Sequence, residues 1–326
     1  MLDRAILIIP CLNEEQHLPK LVEGLLRDID PRITRIVIAD GGSTDRTADI
    51  AKTLEQKNPL ITYLHNPKKR QSAAVNLAVA TYGDDADFLI RIDAHADYPP
   101  DYGKNLLDEA LLTKADSVVV AMQTTGLAGF QKAVAAAQNS ALGNGGSAHR
   151  RAGGAGQWVD HGHHALMRID AFRKVGGYDE SFAHNEDAEL DHRLTRAGCR
   201  IWLTAKTVMT YYPRATPVAL FHQYRGYGAG RARTILKHQM RPKLRQLIPV
   251  GVFPAVVLAL FTPWFALAGV PFLLWLSLCL GYGLMLAYRA KDTTLAASGI
   301  AASIMHAAWS LGFWQTLVKA AGRHHG

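Results

Sequence analysis

The sequence predicts an α/β fold, a mostly parallel, Rossmann-like sheet with flanking helices, followed by membrane-associated helices toward the C-terminus. Two observations carry this. Short continuous apolar runs alternate with helically spaced ones over the first third of the chain, the pattern of a doubly wound sheet whose strands are buried on both faces. Near the other end, Leu247 to Tyr288 carries no charged side chain, about twice the ~20 residues needed to cross a bilayer.

The elements follow in order. Ala5 to Pro10 reads as a buried strand, and Leu18, Leu21, Val22, Leu25 and Leu26 have helical spacing. Ile33 to Ala39 is a second strand, ending in Asp40-Gly41-Gly42-Ser43-Thr44-Asp45, and Ser43 or Thr44 is expected to cap a helix through Leu54. Ile61 to Leu64 is a third strand, Ser72 to Ala80 a short helix, Phe88 to Ile92 a fourth strand and Ser117 to Met122 another. Asn139 to Gln157 is rich in glycine, either a linker or a loop that closes over substrate, with the lid favoured. Glu186 to Leu194 is helical and amphipathic, with Gly198 as its stop.

Ligands of doubly wound sheets bind outside the carboxyl ends of the strands. Pro10 to Glu14, Asp40 to Gly42 and Asp93-Ala94-His95 all leave that edge. A carboxylate there, with a second ligand two residues on, suits a divalent cation that neutralises a departing diphosphate. The bland reading of an isolated Asp-x-His triplet is a solvated turn; three polar loops on one rim weigh against it. His161, His163 and His164 form a cluster, but no Cys or carboxylate completes a recognised zinc spacing.

The 326 residues carry a formal charge of +8. Arg225, Arg231, Arg233, Lys237, Arg241, Lys243 and Arg245 form a block without acids just before the uncharged stretch, and Arg289 and Lys291 follow it. That placement points to anionic lipid and the cytoplasmic side rather than to nucleic acid, for which no module is present. The stretch reads as a two-helix hairpin passing through or into the membrane, broken at Gly269-Val270-Pro271; the alternative is a buried helical pair in a soluble domain. Leu295 to Val318 is a weaker apolar stretch that spans, lies in the interface or packs on the hairpin. No signal peptide is read at the N-terminus, and Cys11, Cys199 and Cys279 are read as reduced thiols.

Five segments carry a family resemblance: Ile8–Glu15 (IIPCLNEE), Val37–Thr47 (VIADGGSTDRT), Arg91–Pro99 (RIDAHADYP), Gly176–Phe182 (GGYDESF) and Asn185–Leu194 (NEDAELDHRL). In order and spacing they resemble family-2 glycosyltransferases, inverting nucleotide-sugar-dependent enzymes of the GT-A fold. The subfamily they most resemble is that of the membrane-associated glucosyltransferases of bacterial exopolysaccharide assembly, the succinoglycan type. The resemblance implies a GT-A catalytic domain over 1–220, a basic juxtamembrane segment over 221–246 and a hydrophobic membrane-associated helical region over 247–326.

It further implies site roles. Pro10, Asn13, Glu14, Asp40, Arg70, Asn76, Asp93 and Ala94 fall where the family binds the nucleotide sugar. Asp93 and His95 fall on its metal-binding Asp-x-Asp. His95 replaces an aspartate there, and imidazole favours Mn²⁺ over the alternative, Mg²⁺. Asp187 matches the catalytic base and Glu186 a supporting residue. Arg225 or Arg231 would grip a diphosphate. The family's processive members carry a Gln-x-x-Arg-Trp signature, but the region from Gln223 to Arg231 has no tryptophan, which implies addition of one sugar per acceptor. The expected donor is UDP-glucose and the acceptor a polyprenyl-diphosphate-linked saccharide. Polyprenyl phosphate or a glycolipid is the alternative acceptor, and a catalytically silent nucleotide-binding scaffold the alternative of another class. The expected setting is the bacterial inner membrane, with the catalytic domain cytoplasmic and other glycan-assembly enzymes as possible partners.

Overall fold

The computed structural model describes residues 3–145, 155–242 and 244–323. In chain order the elements are β1 (Ala5–Cys11), α1 (Leu18–Arg27), β2 (Ile33–Asp40), α2 (Thr47–Lys57), β3 (Ile61–His65), α3 (Gln71–Tyr82), β4 (Phe88–Arg91), α4 (Tyr102–Thr113) and β5 (Ser117–Thr124). Then come α5 (Gly129–Asn139), α6 (Ala141–Asn144), β6 (Gln157–Val159), β7 (His163–Arg168), α7 (Ile169–Lys174), α8 (Glu186–Arg196), β8 (Ile201–Tyr211), α9 (Pro217–His238), α10 (Leu244–Ala259), α11 (Val270–Ala290) and α12 (Ser298–Arg323). Residues 146–154, the centre of the glycine-rich segment read as a lid or linker, lie outside the described residues.

The chain forms two compact units. The first holds the sheet, ordered β3-β2-β1-β4-β7-β5-β8-β6. Strands β3, β2, β1 and β4 run parallel, and β7 is antiparallel to both β4 and β5. Because side chains alternate along a strand, Leu7, Ile9, Ile36, Ile38 and Ile90 pack on one face with Leu18, Val22 and Leu106. Ile6, Ile8, Val37 and Leu89 pack on the other with Val75, Val79 and Leu190. Both faces are covered, so the strands read as unbroken apolar runs.

Register places the loops. Cys11 pairs with Asp40, and Ile8 with Arg91. The Ile92 amide donates to the Ile8 carbonyl at 2.9 Å. The loops after β1, β2 and β4 therefore leave one edge side by side, as the sequence predicts. Strand β7 runs the other way, with Leu166 opposite Ile90, which brings its first residues, His163 and His164, to the same rim.

One helix start differs from expectation. Neither Ser43 nor Thr44 caps α2, which begins at Thr47. Ser43 Oγ instead donates to Asp40 Oδ1 at 2.5 Å and accepts from the Asn13 amide at 2.8 Å. The Thr44 amide donates to Asn13 Oδ1 at 2.8 Å. Residues able to cap a helix are used to tie two rim loops together.

The second unit comprises residues 124–150, 183–185 and 212–326. Val134, Ala137, Leu220, Ala301, Ala302 and Met305 form a small core within it. The hairpin break falls earlier than predicted, between the end of α10 at Ala259 and a short 3₁₀ turn at Ala266–Gly269. Pro263 lies in that break, where it lacks an amide donor. Pro271 sits in the first turn of α11, where a helix tolerates proline. Two stretches, Ala266–Ala290 and Thr293–Gly322, are long and apolar enough to cross a membrane; the second contains the weaker apolar stretch read from the sequence.

Candidate active site

The first rim loop starts at Pro10 and turns at Asn13, whose φ of 58° is left-handed, a region Asn tolerates. The Glu14 amide donates to Thr47 Oγ1 at 2.7 Å. Its carboxylate reaches two imidazoles, with Oε2 3.0 Å from His17 Nδ1 and Oε1 2.9 Å from His95 Nδ1. Asp40, buried at the end of β2, accepts from the Gly42 amide at 3.1 Å through Oδ2 and from the Ser43 amide at 3.1 Å through Oδ1. Gly42 has φ of 76°. The carboxylate shapes the loop that follows it.

Arg70 and Asn76 serve the turn at Gly176–Glu180. Arg70 Nη1 donates to the Glu180 carbonyl. Asn76 Nδ2 donates to the Tyr178 carbonyl at 2.9 Å and to Glu180 Oε1 at 3.1 Å, while its Oδ1 accepts from the Tyr178 amide at 2.9 Å. Gly177 has φ of 68°, and a Cβ there would fall 2.6 Å from Asn76 Oδ1. The turn needs glycine, and it is pinned to α3.

The centre of the rim is a buried charge network. Arg91 looks like a member of the apolar run of β4, yet it is 4 % exposed. A buried guanidinium needs a partner, and Asp187 supplies it: Nη1 donates to Oδ1 at 2.6 Å and Nη2 to Oδ2 at 3.2 Å. Tyr178 Oη accepts from Arg91 Nη1 at 2.9 Å and donates to Asp187 Oδ1 at 3.1 Å. Arg91 Nε has no hydrogen-bond partner among the described residues and lies 3.7 Å from Asp93 Oδ1. Beneath, the wholly buried His164 bridges Tyr178 Oη (2.8 Å) and Asp191 Oδ1 (2.6 Å), and Asp191 Oδ2 meets His161 Nδ1 at 2.8 Å.

Asp93 Oδ1 accepts from Gln71 Nε2 at 2.8 Å, and its amide donates to Tyr98 Oη at 2.7 Å. Asp93 Oδ2 lies 3.5 Å from His163 Nε2. Ala94 is buried, while the His95 side chain is half-exposed and oriented by Glu14. The three upstream histidines therefore diverge: His161 and His164 go to Asp191, His163 to Asp93. Among the described residues no group of three or more His, Cys, Asp or Glu is gathered to hold a metal ion.

These contacts set the charge states. Burial raises the Asp187 carboxyl, but Arg91, His164 and His163 outweigh it and hold it well below the usual carboxylate range. Asp93 is likewise lowered: burial opposes ionisation, and Arg91, His163 and His95 overcome it. Glu186 moves the other way, pushed up to about 7 by burial and by the Asp187 charge. Burial lowers His163 to about 4 despite Asp93 and Asp187, so it is neutral near pH 7. The site thus offers two fixed carboxylates, one titratable carboxyl and a neutral imidazole.

The rim assembles Asn13, Glu14, Asp40, Asp93, His95 and Asp187 on the first unit. Arg225 and Arg231 lie on α9 in the second, where Arg225 Nε donates to Gln315 Oε1 at 2.9 Å. The sequence reading missed Arg91, Tyr178 and Asp191. Arg91 had a signal, a lone cation in a strand otherwise fully apolar. Tyr178 and Asp191 had none beyond lying within motifs.

The fold and this rim are those of a glycosyltransferase acting on a nucleotide sugar, and the family comparison agrees. Residues 6–176 match the model for glycosyl transferase family 2, and residues 131–288 that for glycosyl transferase family group 2. The chain belongs to family 2 and is a nucleotide-sugar-dependent glycosyltransferase. It is 55 % identical to the succinoglycan biosynthesis protein ExoA of Rhizobium meliloti, over 96 % of this chain and 95 % of that protein. It is 24 % identical, over 96 % of this chain and 97 % of the relative, to a dolichyl N-acetyl-α-D-glucosaminyl phosphate 3-β-D-2,3-diacetamido-2,3-dideoxy-β-D-glucuronosyltransferase of Methanococcus voltae. Among solved structures, the mannosyltransferase PcManGT of Pyrobaculum calidifontis, in complex with GDP-Man and Mn²⁺, has a TM-score of 0.56 at 19 % identity, covering 93 % of this chain and 86 % of that one. At that identity the likeness speaks for the GT-A-like fold.

Proposed function

We propose that this chain is an inverting, non-processive hexosyltransferase of exopolysaccharide synthesis, moving glucose from UDP-glucose onto a polyprenyl-diphosphate-linked saccharide at the bacterial inner membrane, with the catalytic unit cytoplasmic. The observation that carries the reading is the placement of the Asp40 loop, the Asp93–His95 turn and the Arg91–Asp187 pair on one sheet edge. The 55 % identity to a succinoglycan biosynthesis protein supports the pathway class. The relative named for a dolichyl-linked sugar phosphate supports a lipid-linked acceptor.

In this reading the rim loops carrying Pro10, Asn13, Glu14 and Asp40 take the nucleotide. Arg70 and Asn76 hold the Gly176–Glu180 turn beside the nucleotide. Asp187 accepts the proton of the acceptor hydroxyl as that oxygen attacks the anomeric carbon, and a single in-line attack inverts the configuration. Arg91 keeps the Asp187 carboxylate ionised and aimed, and Glu186 supports the acceptor.

The residues fit a divalent cation, with Mn²⁺ preferred over Mg²⁺. Asp93 is held ionised, His163 Nε2 is neutral and 3.5 Å from it, and His95 carries the outer carboxylate bond to Glu14 typical of a metal-ligating imidazole. Bound there, the cation would neutralise the charge of the leaving diphosphate. With so few protein ligands, the donor's own phosphate oxygens would complete its shell.

The test is transfer from labelled UDP-glucose into the lipid extract of membranes containing the full chain. Asp187→Asn should lower transfer by ~10²–10⁴ while UDP still binds. Unchanged transfer in that variant would remove Asp187 as the base, and label incorporated only from another nucleotide sugar would replace the donor.

A further inference from the structure

We infer that the second unit attaches to one face of an anionic bilayer as a wedge: α9 and α12 lie along the surface, the tip joining α10 and α11 and the outer face of α11 enter the lipid, and no helix crosses. This rests on the membrane association proposed above and adds its geometry.

Helix α12 has the length and composition of a span, yet 44 % of its apolar window is buried in the protein, against 11 % for that of α11. Its buried side lies against α9 at backbone distance. A Cβ on Gly228 would fall 1.9 Å from the Trp309 carbonyl oxygen, and one on Gly312 would fall 2.0 Å from that of Arg225. Those two contacts and the Arg225–Gln315 bond place the helices antiparallel, so α9 shares whatever depth α12 takes. Arg225, Arg231, Arg233 and Lys237 lie along α9. Charged side chains are costly in hydrocarbon, and the only acid between residues 212 and 326 is Asp292. A crossing α12 would draw that basic helix into the membrane.

The hairpin is shallow for the same reason. Helix α10 has 16 residues, ~24 Å against a hydrocarbon core of ~30 Å, and its middle is bound to α12. Pro254 cannot donate to the Val250 carbonyl; Ser310 Oγ (3.1 Å) and Trp314 Nε1 (2.8 Å) of α12 donate to it instead. The Phe253 amide donates to Ser310 Oγ at 2.9 Å. Helix α11 is held as well, from Trp275 near its start, with Nε1 3.3 Å from His306 Nδ1, to Gly283 against the Gly299 backbone. What stays open is the outer face of α11, where Leu273, Leu274, Leu278 and Leu284 are exposed, and the tip. Leu260, Trp264, Phe265 and Leu267 are 69–81 % exposed, although they are among the most apolar side chains of the unit. Beyond the bonds at Phe253 and Trp275 each arm runs about six residues, ~9 Å of helix, short of the ~15 Å of one leaflet.

The charge around the tip names the surface it enters. Residues 212–326 carry twelve Lys and Arg against the single Asp292, and basic residues stand on both sides of the uncharged stretch, Arg241 before it and Arg289 with Lys291 after. Such clusters bind anionic headgroups and mark one side of the membrane.

The native cysteines, Cys11, Cys199 and Cys279, are buried, so introduced thiols can be read with a membrane-impermeant maleimide. Thr262→Cys probes the tip, Thr293→Cys the α11–α12 junction and Ala321→Cys the end of α12, each in the full chain in bacterial cells. The expected result is loss of all three signals in intact spheroplasts. In inverted membrane vesicles positions 293 and 321 label fully, while 262 labels only after detergent. Labelling from outside at 262, 293 or 321 would overturn the one-sided wedge by showing a crossing hairpin, a crossing α11 or a crossing α12. Protein recovered wholly in the soluble fraction, with position 262 labelled without detergent, would instead overturn the membrane association itself.

Discussion

Arg91 and Asp187 meet end-on, Nη1 to Oδ1 at 2.6 Å and Nη2 to Oδ2 at 3.2 Å, in the middle of the rim where the loops from β1, β2 and β4 converge. The pair joins a strand residue that reads as core to a helix residue that reads as catalytic. Replacing Arg91 with Met leaves Asp187 and Asp93 without their buried cation, and breaking a buried pair on one side costs ~3–5 kcal/mol. Chemical denaturation of the full chain in detergent should show a loss of that size. Arg91→Lys, which keeps the charge without the two-pronged geometry, should fall between.

The neighbouring acids should separate in a pH profile. Glu186 is protonated below about 7 and ionised above it. Transfer should therefore rise with pH through that value, and Glu186→Gln should erase the step. Asp187 is already ionised throughout, since Arg91 and the two histidines outweigh the effect of its burial. Asp187→Asn should lower the rate by ~10²–10⁴ at every pH. Were Asp187→Asn to keep its rate and the Glu186 step, the base would be Glu186.

Metal dependence should track Glu14 as well as Asp93. Glu14 Oε1 holds His95 Nδ1 at 2.9 Å, and loss of such outer bonds typically costs 10–100-fold in metal affinity or activity. Glu14→Gln should shift the Mn²⁺ concentration for half-maximal transfer upward by about that range, while EDTA abolishes transfer in the parent. Nitrogen couplings in the electron-spin-echo spectrum of bound Mn²⁺ should lose a component in His163→Ala. Transfer that survives EDTA would remove the cation from the mechanism.

Nucleotide binding should depend on Asp40 even where the side chain does not touch the ligand. Its two oxygens organise Gly42 and Ser43. Asp40→Ala should abolish measurable UDP binding by calorimetry, and Ser43→Ala, which removes a 2.5 Å bond to the same carboxylate, should weaken it less.

In the second unit, Gly228 meets the Trp309 backbone with no room for a side chain. Gly228→Ala should destabilise the α9–α12 pair by ~1–3 kcal/mol, as overpacking does. The thermal midpoint in detergent is the readout, and Gly251→Ala, with nothing within 4 Å, is the control.

The sheet and its functional edge were legible in the sequence because both follow from local pattern. Continuous apolar runs mark strands covered on both faces, and polar motifs mark where the chain leaves them, so the rim loops could be placed before any coordinate. What local pattern cannot encode is partnership across distance. That Arg91 pairs with Asp187, 96 residues away, depends on β4 and α8 meeting at one rim. The antiparallel insertion of β7 decides that His163 faces Asp93 while its neighbour His164 turns to Asp191. The helix start moved from Thr44 to Thr47 because Ser43 and Thr44 found partners on another loop. Similarly, apolar length made α12 look like a span, and only its glycine-to-backbone contact with a basic helix revealed what it must stay beside. Sequence by itself determined which segments are apolar, where they end and which chemistry lies at their ends. Tertiary structure decided which charges meet, because a buried charge is stable only beside a partner that folding, not sequence proximity, supplies.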